Sequence, residues 1–339
     1  MEHGDERAMS SSVVSVGVAA VVAIMASMVQ AQDTIATTSI AARAVATLKV
    51  PGFADFLVAD GKAVWVTNRG RIEKLDRDHA EPVLTATVPS PCGAMAVGFG
   101  AVWVANCRDS SVYRVDRKSA RVVAMIPTGL ADRRGELSLA VGAGSVWVLS
   151  DRAGVLSRID PRTNRVIARI AVAPFSFAAV FGFGSVWISN TGAPNAGGPG
   201  APASAGTTTA GSVQRIDPAT NRVVATIPVG PTPRFLAAGE RGVWTLNQGD
   251  GTVSRVDPKT NMVTATIAVG VPGGGGDIDA GGGAVWVRAS RVLLSVIDPR
   301  SNRVVERLGP VAGSGAVRVA GNAVWVTAHD IGTVWAVRR

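Results

Sequence analysis

An all-β ring, a seven-bladed β-propeller of four-stranded blades, is predicted by three features of the 339-residue sequence. The first is a small residue followed by Val-Trp that recurs seven times, at Trp65, Trp103, Trp147, Trp187, Trp244, Trp286 and Trp325. Successive copies lie 38–44 residues apart except for one interval of 57, and only Trp335 of the eight tryptophans stands outside the pattern. A period near 40 with one Trp per unit marks a repeat array. The second is that each period reads as four short β-branched segments separated by turn residues. The third is that the two ends of the sequence complement each other, as a closed ring requires.

The blade around Trp244 shows the four strands. Phe235 to Ala238 is a first strand, and Gly239-Glu240-Arg241 turns into Val243-Trp244-Thr245-Leu246. A loop over 247–251 leads to Thr252-Val253-Ser254-Arg255-Val256, and Asp257-Pro258-Lys259-Thr260-Asn261 turns into Val263-Thr264-Ala265-Thr266-Ile267. Proline sets φ at the turn and Asn tolerates a left-handed position. The same turn recurs as Asp160-Pro161 to Asn164, Asp217-Pro218 to Asn221 and Asp298-Pro299 to Asn302, while Asp76 and Asp116 open copies that lack proline. The seventh unit supplies a third strand at 333–339 and no fourth, whereas residues 43–50, Arg-Ala-Val-Ala-Thr-Leu-Lys-Val, match the fourth-strand sequence 222–229. The N-terminal strand is therefore expected to complete the last blade, which removes the open edges of a linear array.

The Val-Trp-Val-x-Asn strands and the segment Ile216 to Gly230, Ile-Asp-Pro-x-Thr-Asn-x-Val-Val-Ala-Thr-Ile-x-Val-Gly, resemble the seven-bladed YVTN and streptogramin B lyase-like propellers over residues 42–339. For streptogramin B lyases that resemblance implies His and Glu at the channel mouth, holding magnesium and abstracting a proton. This sequence has no Glu-x-His pair, and His329 is the one histidine expected on that face. Fold alone does not carry function.

Four stretches depart from the repeat. Residues 1–31 read as a signal peptide: the run Val13 to Val29 is apolar apart from Ser15 and Ser27, and Val29-Gln30-Ala31 fits a small-residue cleavage site. An uncleaved anchor and a structural helix are the alternatives, and Met9 competes with Met1 as the start because Glu2, Asp5 and Glu6 precede the run. Residues 32–41 read as a short linker. The long interval comes from an insertion at about 191–211, rich in Gly, Ala, Pro, Ser and Thr, which is expected as a mobile loop. The two cysteines, Cys92 and Cys107, are expected to form a disulfide, because in a hairpin turning at Phe99-Gly100 they stand directly opposed; a reactive thiol pair is the alternative. Such a loop would stabilise by roughly 3 kcal/mol through lost chain entropy. A periplasmic or secreted location and a monomer without a membrane span in the mature chain follow.

Candidate chemistry is sparse. Nine and seven residues before each repeat Trp, the first strands carry uncharged residues in five blades, but Asp277 and Asp279 in the sixth and Arg318 in the seventh. These charges, with His329 and Arg234, are the candidate channel-mouth residues. They either hold a cation or polar ligand or lock the sixth blade to the seventh as a buried pair. Arg69, Arg108, Arg133, Arg134, Arg152, Arg234 and Arg291 fall in loops of the same face, with Phe53, Phe175 and Phe235, and suit a small anionic or aromatic ligand or a protein partner. Arg114, Arg158, Arg215 and Arg255 on third strands, and Arg43, Arg121, Arg165, Arg222 and Arg303 on fourth strands, place much of the +9 charge on the outer rim. Binding of nucleic acid or another polyanion needs a continuous patch, which this distribution dilutes. No His-x-x-x-His or Cys-x-x-Cys spacing supports a closed zinc site. The run Gly273-Gly274-Gly275-Gly276 lacks the helix and lysine of a phosphate loop. The expectation is an exported, non-enzymatic binding or scaffold propeller with no cofactor. The alternatives are a divergent lyase or hydrolase using Asp277, Asp279 and His329 with magnesium or calcium, and a polyanion binder.

Overall fold

The computed structural model describes Met1 and residues 35–128, 136–150, 154–192, 210–270 and 275–339. The expected signal peptide, the core of the insertion (193–209), Arg133, Arg134, Arg152, Gly273 and Gly274 lie outside the described residues. Residues 35–339 form one compact unit.

That unit is a ring of seven antiparallel sheets, each with four strands in sequential order from the inside out. The Val-Trp stretches are the second strand of every blade, as in Ala63–Asn68, Ala101–Asn106 and Gly242–Asn247. In blade 7 the outer strand is Ala44–Lys49, which pairs antiparallel with Thr333–Arg338 and closes the ring. Contrary to the expected linker over 32–41, Thr37–Ser39 forms a further strand, parallel to Arg303–Gly309 on the rim of blade 6. A 3-10 turn, Ile40–Ala42, then carries the chain across to blade 7. The N-terminal segment thus staples two neighbouring blades, and Arg43 adds an ion pair to Glu306.

Packing between blades explains the Trp repeat. All seven indoles are buried, between 0% and 2% exposed. In blades 2 to 6 the indole N–H donates to the carbonyl five residues earlier, as from Trp147 to Gly142 at 3.0 Å. In blades 2 to 5 the next blade leaves no room for a side chain at that place: a Cβ on Gly142 would lie 2.0 Å from the Phe181 ring.

The third-strand arginines are a correction to the rim expectation. Each stacks on the Trp opposite it and donates to the Asp-Pro turn of the following blade. Arg158 lies 4.8 Å from the Trp147 ring and bonds Pro218 O at 2.7 Å and Asn221 Oδ1 at 2.9 Å. Arg114, Arg215 and Arg255 repeat this geometry against Asn164, Asn261 and Asn302. The turn asparagines sit at φ of 55–56°, a left-handed value that Asn adopts readily. These arginines are spent on holding blades 2 to 6 together, so they add little to a polyanion surface. The clasp stops at blade 6, where Val296 faces Trp286. Blade 7 has no turn to receive one, because its outer two strands come from residues 333–338 and 44–49.

Candidate functional site

The seven first strands surround an axial channel. Residues in register with the repeat Trp are Val58, Ala96, Ala140, Val180 and Ala237, then Asp279 and Arg318. The charged positions face their neighbours across the junction of blades 6 and 7. Asp277, 2% exposed, ion-pairs with Arg318 Nη1 and accepts from Val317 N at 3.1 Å. Asp279 accepts from Val319 N at 2.7 Å and from Ala280 N at 2.9 Å. Burial pushes the Asp277 carboxyl up, with the Arg318 charge opposing it. The two aspartates therefore add rungs between first strands where the arginine clasp is missing.

His329 lies elsewhere, on the loop face of blade 7, stacked on Phe53 with ring centroids 4.1 Å apart. Asp330 Oδ1 is 2.8 Å from Nδ1, a close electrostatic contact that is not aligned as a hydrogen bond. Burial lowers the His329 pKa below its usual 6.5. Arg234 sits across the mouth in blade 5, its guanidinium 4.1 Å from the Phe177 ring and 5.6 Å from that of Phe235, and it pairs with Glu136 of blade 3 at 3.4 Å. Arg69, Arg108 and Arg291 are exposed on the outer loops, and Phe175 is half-buried. The structure thus brings Asp277, Asp279 and Arg318 together, whereas His329 of blade 7 and Arg234 of blade 5 make their contacts with other residues.

Two residues of this region escaped the sequence reading. Asp55 occupies the position ten residues before Trp65, equivalent to Arg234 before Trp244. Its backbone carbonyl accepts from Thr327 Oγ1 at 2.8 Å, which ties blade 7 to blade 1. Among the described residues its carboxylate meets no hydrogen-bond donor. Burial, followed by the charges of Glu136, Asp277 and Asp330, pushes its pKa well above the usual 3.8. Arg288 is 0% exposed and donates to carbonyls of Thr327, Ala289, Ala312 and Gly313, the first at 3.1 Å. Burial lowers its pKa to about 10. A count of charges ten before and two after each Trp would have found both.

The raised pKa of Asp55 has a thermodynamic consequence. A carboxyl that binds its proton more tightly in the folded chain is penalised when ionised, so stability falls as pH rises through its folded pKa and is restored as pH drops towards 3.8. Asp55→Asn is expected to flatten this slope and to raise Tm at neutral pH. Thermal melts of both proteins from pH 4 to 8 check it, and a lower neutral-pH Tm in the variant contradicts it.

The expected disulfide is present, with Cys92 and Cys107 Cα atoms 5.9 Å apart. The local pairing differs from the simple hairpin. Ala96 opposes Trp103, but Pro91 opposes Asn106, so the first strand slips by two residues between them. The slip arises because Gly93–Ala94 leaves blade 2 and pairs with Leu137–Gly142 of blade 3.

The described residues do not fit the magnesium that the resemblance implies. The oxygens of Asp277 and Asp279 are taken by Arg318 and backbone N–H groups. Among the described residues no three His, Cys, Asp or Glu side chains gather as a metal site.

With this geometry in view, the chain superposes on the virginiamycin B lyase of Staphylococcus aureus with a TM-score of 0.67 at 13% identity, covering 86% of this chain and 98% of that one. A streptogramin B lyase gives 0.67 at 15% identity, with 86% and 94% covered. The WD40 domain of Neurospora crassa Pan2 gives 0.66 at 12% identity, again with 86% and 94% covered. The fold shared with these proteins is the β-propeller, here with seven blades. At these identities the likeness carries the architecture alone, and a lyase and a WD40 domain share it equally well. No protein-family model matches the sequence. No curated protein matches it either.

Proposed function

We propose that the protein is an exported, non-enzymatic propeller that binds a small aromatic ligand, or the equivalent group of a protein partner, at the loop-face mouth of its channel. One observation carries this reading: Asp55, Glu136 and Arg234 come from blades 1, 3 and 5, which share no strand pairing, and yet converge around the mouth. Arg234 on Phe177 and His329 on Phe53 supply flat surfaces, and the Asp55 carboxylate, which meets no donor among the described residues, supplies an acceptor. Of the two ligand classes expected, the mouth favours the aromatic one over the anionic one, because its carboxylates already repel each other at Asp55. Export is supported by the apolar run 13–29 and by the disulfide. Among the described residues no helix is long and apolar enough to cross a membrane.

Tyramine and 4-hydroxyphenylacetate, nearly isosteric but opposite in charge, test the reading by thermal shift and calorimetry. Tyramine is expected to raise Tm with concentration, the acid much less, and Arg234→Ala or Asp55→Asn to weaken tyramine about tenfold. No shift with either probe sinks the proposal. Parallel arms with magnesium, calcium and EDTA address the lyase reading, which a cation-dependent rise in Tm would put in its place.

A further inference from the structure

We infer that the axial cavity below the mouth is a second binding site, for a small neutral molecule with an apolar body and a single hydrogen-bond acceptor such as a carbonyl. The cavity has a volume of about 230 Å³. An apolar cavity of about 150 Å³ holds benzene, so the space suits one substituted ring or a short branched chain. None of Asp55, Glu136, Arg234 or His329 lines it, so its polar groups are distinct from those of the mouth, although Phe235 borders both.

The walls from blades 1 to 5 are almost wholly apolar, with Phe56, Val58, Ala96, Ala140, Val180 and Phe235 among them. Blades 6 and 7 contribute Asp277 and Arg318. The hydrogen-bonding capacity of these polar groups is unequally used. Asp277 accepts from Ile278 N, Val317 N and Arg318, and Ser138 Oγ accepts from Ala179 N at 2.9 Å. Arg318 gives Nη1 to Asp277 and to the Val317 carbonyl, while Nε and Nη2 have no partner among the described residues. Each side-chain acceptor of the lining already receives a donor, whereas one guanidinium edge donates to nothing among the described residues. A ligand seated here must therefore bring the acceptor. Asp277 and Asp279 already offset the Arg318 charge, so a neutral carbonyl fits and a carboxylate is repelled. The apolar body gains from leaving water along the opposite wall.

The test uses the full chain and three fluorinated probes followed by ¹⁹F NMR: 4′-fluoroacetophenone, 4-fluorotoluene and 4-fluorobenzoate. The ketone is expected to bind at least tenfold more tightly than the toluene, as a hydrogen bond from a charged donor implies, and the benzoate to bind most weakly. Val180→Phe, in register with Arg318 three blades away, is expected to abolish binding of ketone and toluene alike. Arg318→Met should bring the ketone to the level of the toluene. Because that variant strands Asp277, the double variant Arg318→Met/Asp277→Leu is made in parallel, since replacing a whole buried pair by apolar residues is often tolerated. Equal affinity for ketone and toluene in the unmodified chain, tighter binding of benzoate, or ketone binding that survives Val180→Phe each overturns the assignment.

Discussion

Deleting residues 1–49 is expected to leave a chain that no longer folds as a cooperative monomer. The cut removes Ala44–Lys49 from blade 7 and Thr37–Ser39 from blade 6. Ile40 and Leu48, 2% and 6% exposed, leave the core with them. The backbone of Thr333–Arg338 then becomes an open edge, a template for association. Deletion of residues 1–34 alone keeps both strands and should leave the fold intact. Size-exclusion chromatography and urea denaturation compare the two truncations. A monomer with an unchanged urea midpoint after the longer deletion contradicts ring closure by this strand.

Arg158→Met is expected to cost at least about 2 kcal/mol, because it removes the two inter-blade hydrogen bonds of a charged donor, its bonds to Ser145 Oγ and the Ala143 carbonyl within the blade, and one stacked cation. Pro218 O and Asn221 Oδ1 lose their donor together, at the junction of blades 3 and 4. Asn221→Ala should lose less when combined with Arg158→Met than it does alone, since both act on one contact. Val296→Arg in blade 6 should bring no gain, because blade 7 offers no turn to receive it. Urea midpoints of the four variants decide this, and full additivity of the first two would show that the clasp is not a unit.

Much of this architecture was legible in sequence because it is periodic. Val-Trp and Asp-Pro-x-x-Asn recur at fixed offsets, and blade number, strand order and ring closure follow from counting them. The destination of the clasp arginines was not legible. Arg158 alternates on its strand like any solvent-facing residue, and only the neighbouring blade reveals that it reaches the turn after Asp217. The extra strand at Thr37–Ser39 is too short to carry a pattern of its own.

The candidate site was legible only where the repeat is broken. Asp277, Asp279 and Arg318 stand out against uncharged residues at equivalent places, and they do meet. Asp55 lies ten residues before its Trp, one position outside the offsets that single out Asp277 and Arg318, and Arg288 lies two residues after its own, on the second strand, so the first-strand comparison reaches neither. His329 was grouped with the aspartates because it shares their face of the ring. Its actual neighbours, Phe53 and Asp330, belong to the loops above.

The sequence by itself determined the fold class, the seven repeats, the closing strand and the cysteine pair. Each depends on local periodicity or on complementary ends, and those survive in one dimension. Tertiary structure alone decided which charges are spent and which are free. The Arg158 clasp and, among the described residues, the Asp55 carboxylate without a donor and the half-used Arg318 guanidinium arise between blades well separated in sequence. Whether such a group is satisfied depends on what the adjacent backbone presents to it, and a repeat pattern does not encode that.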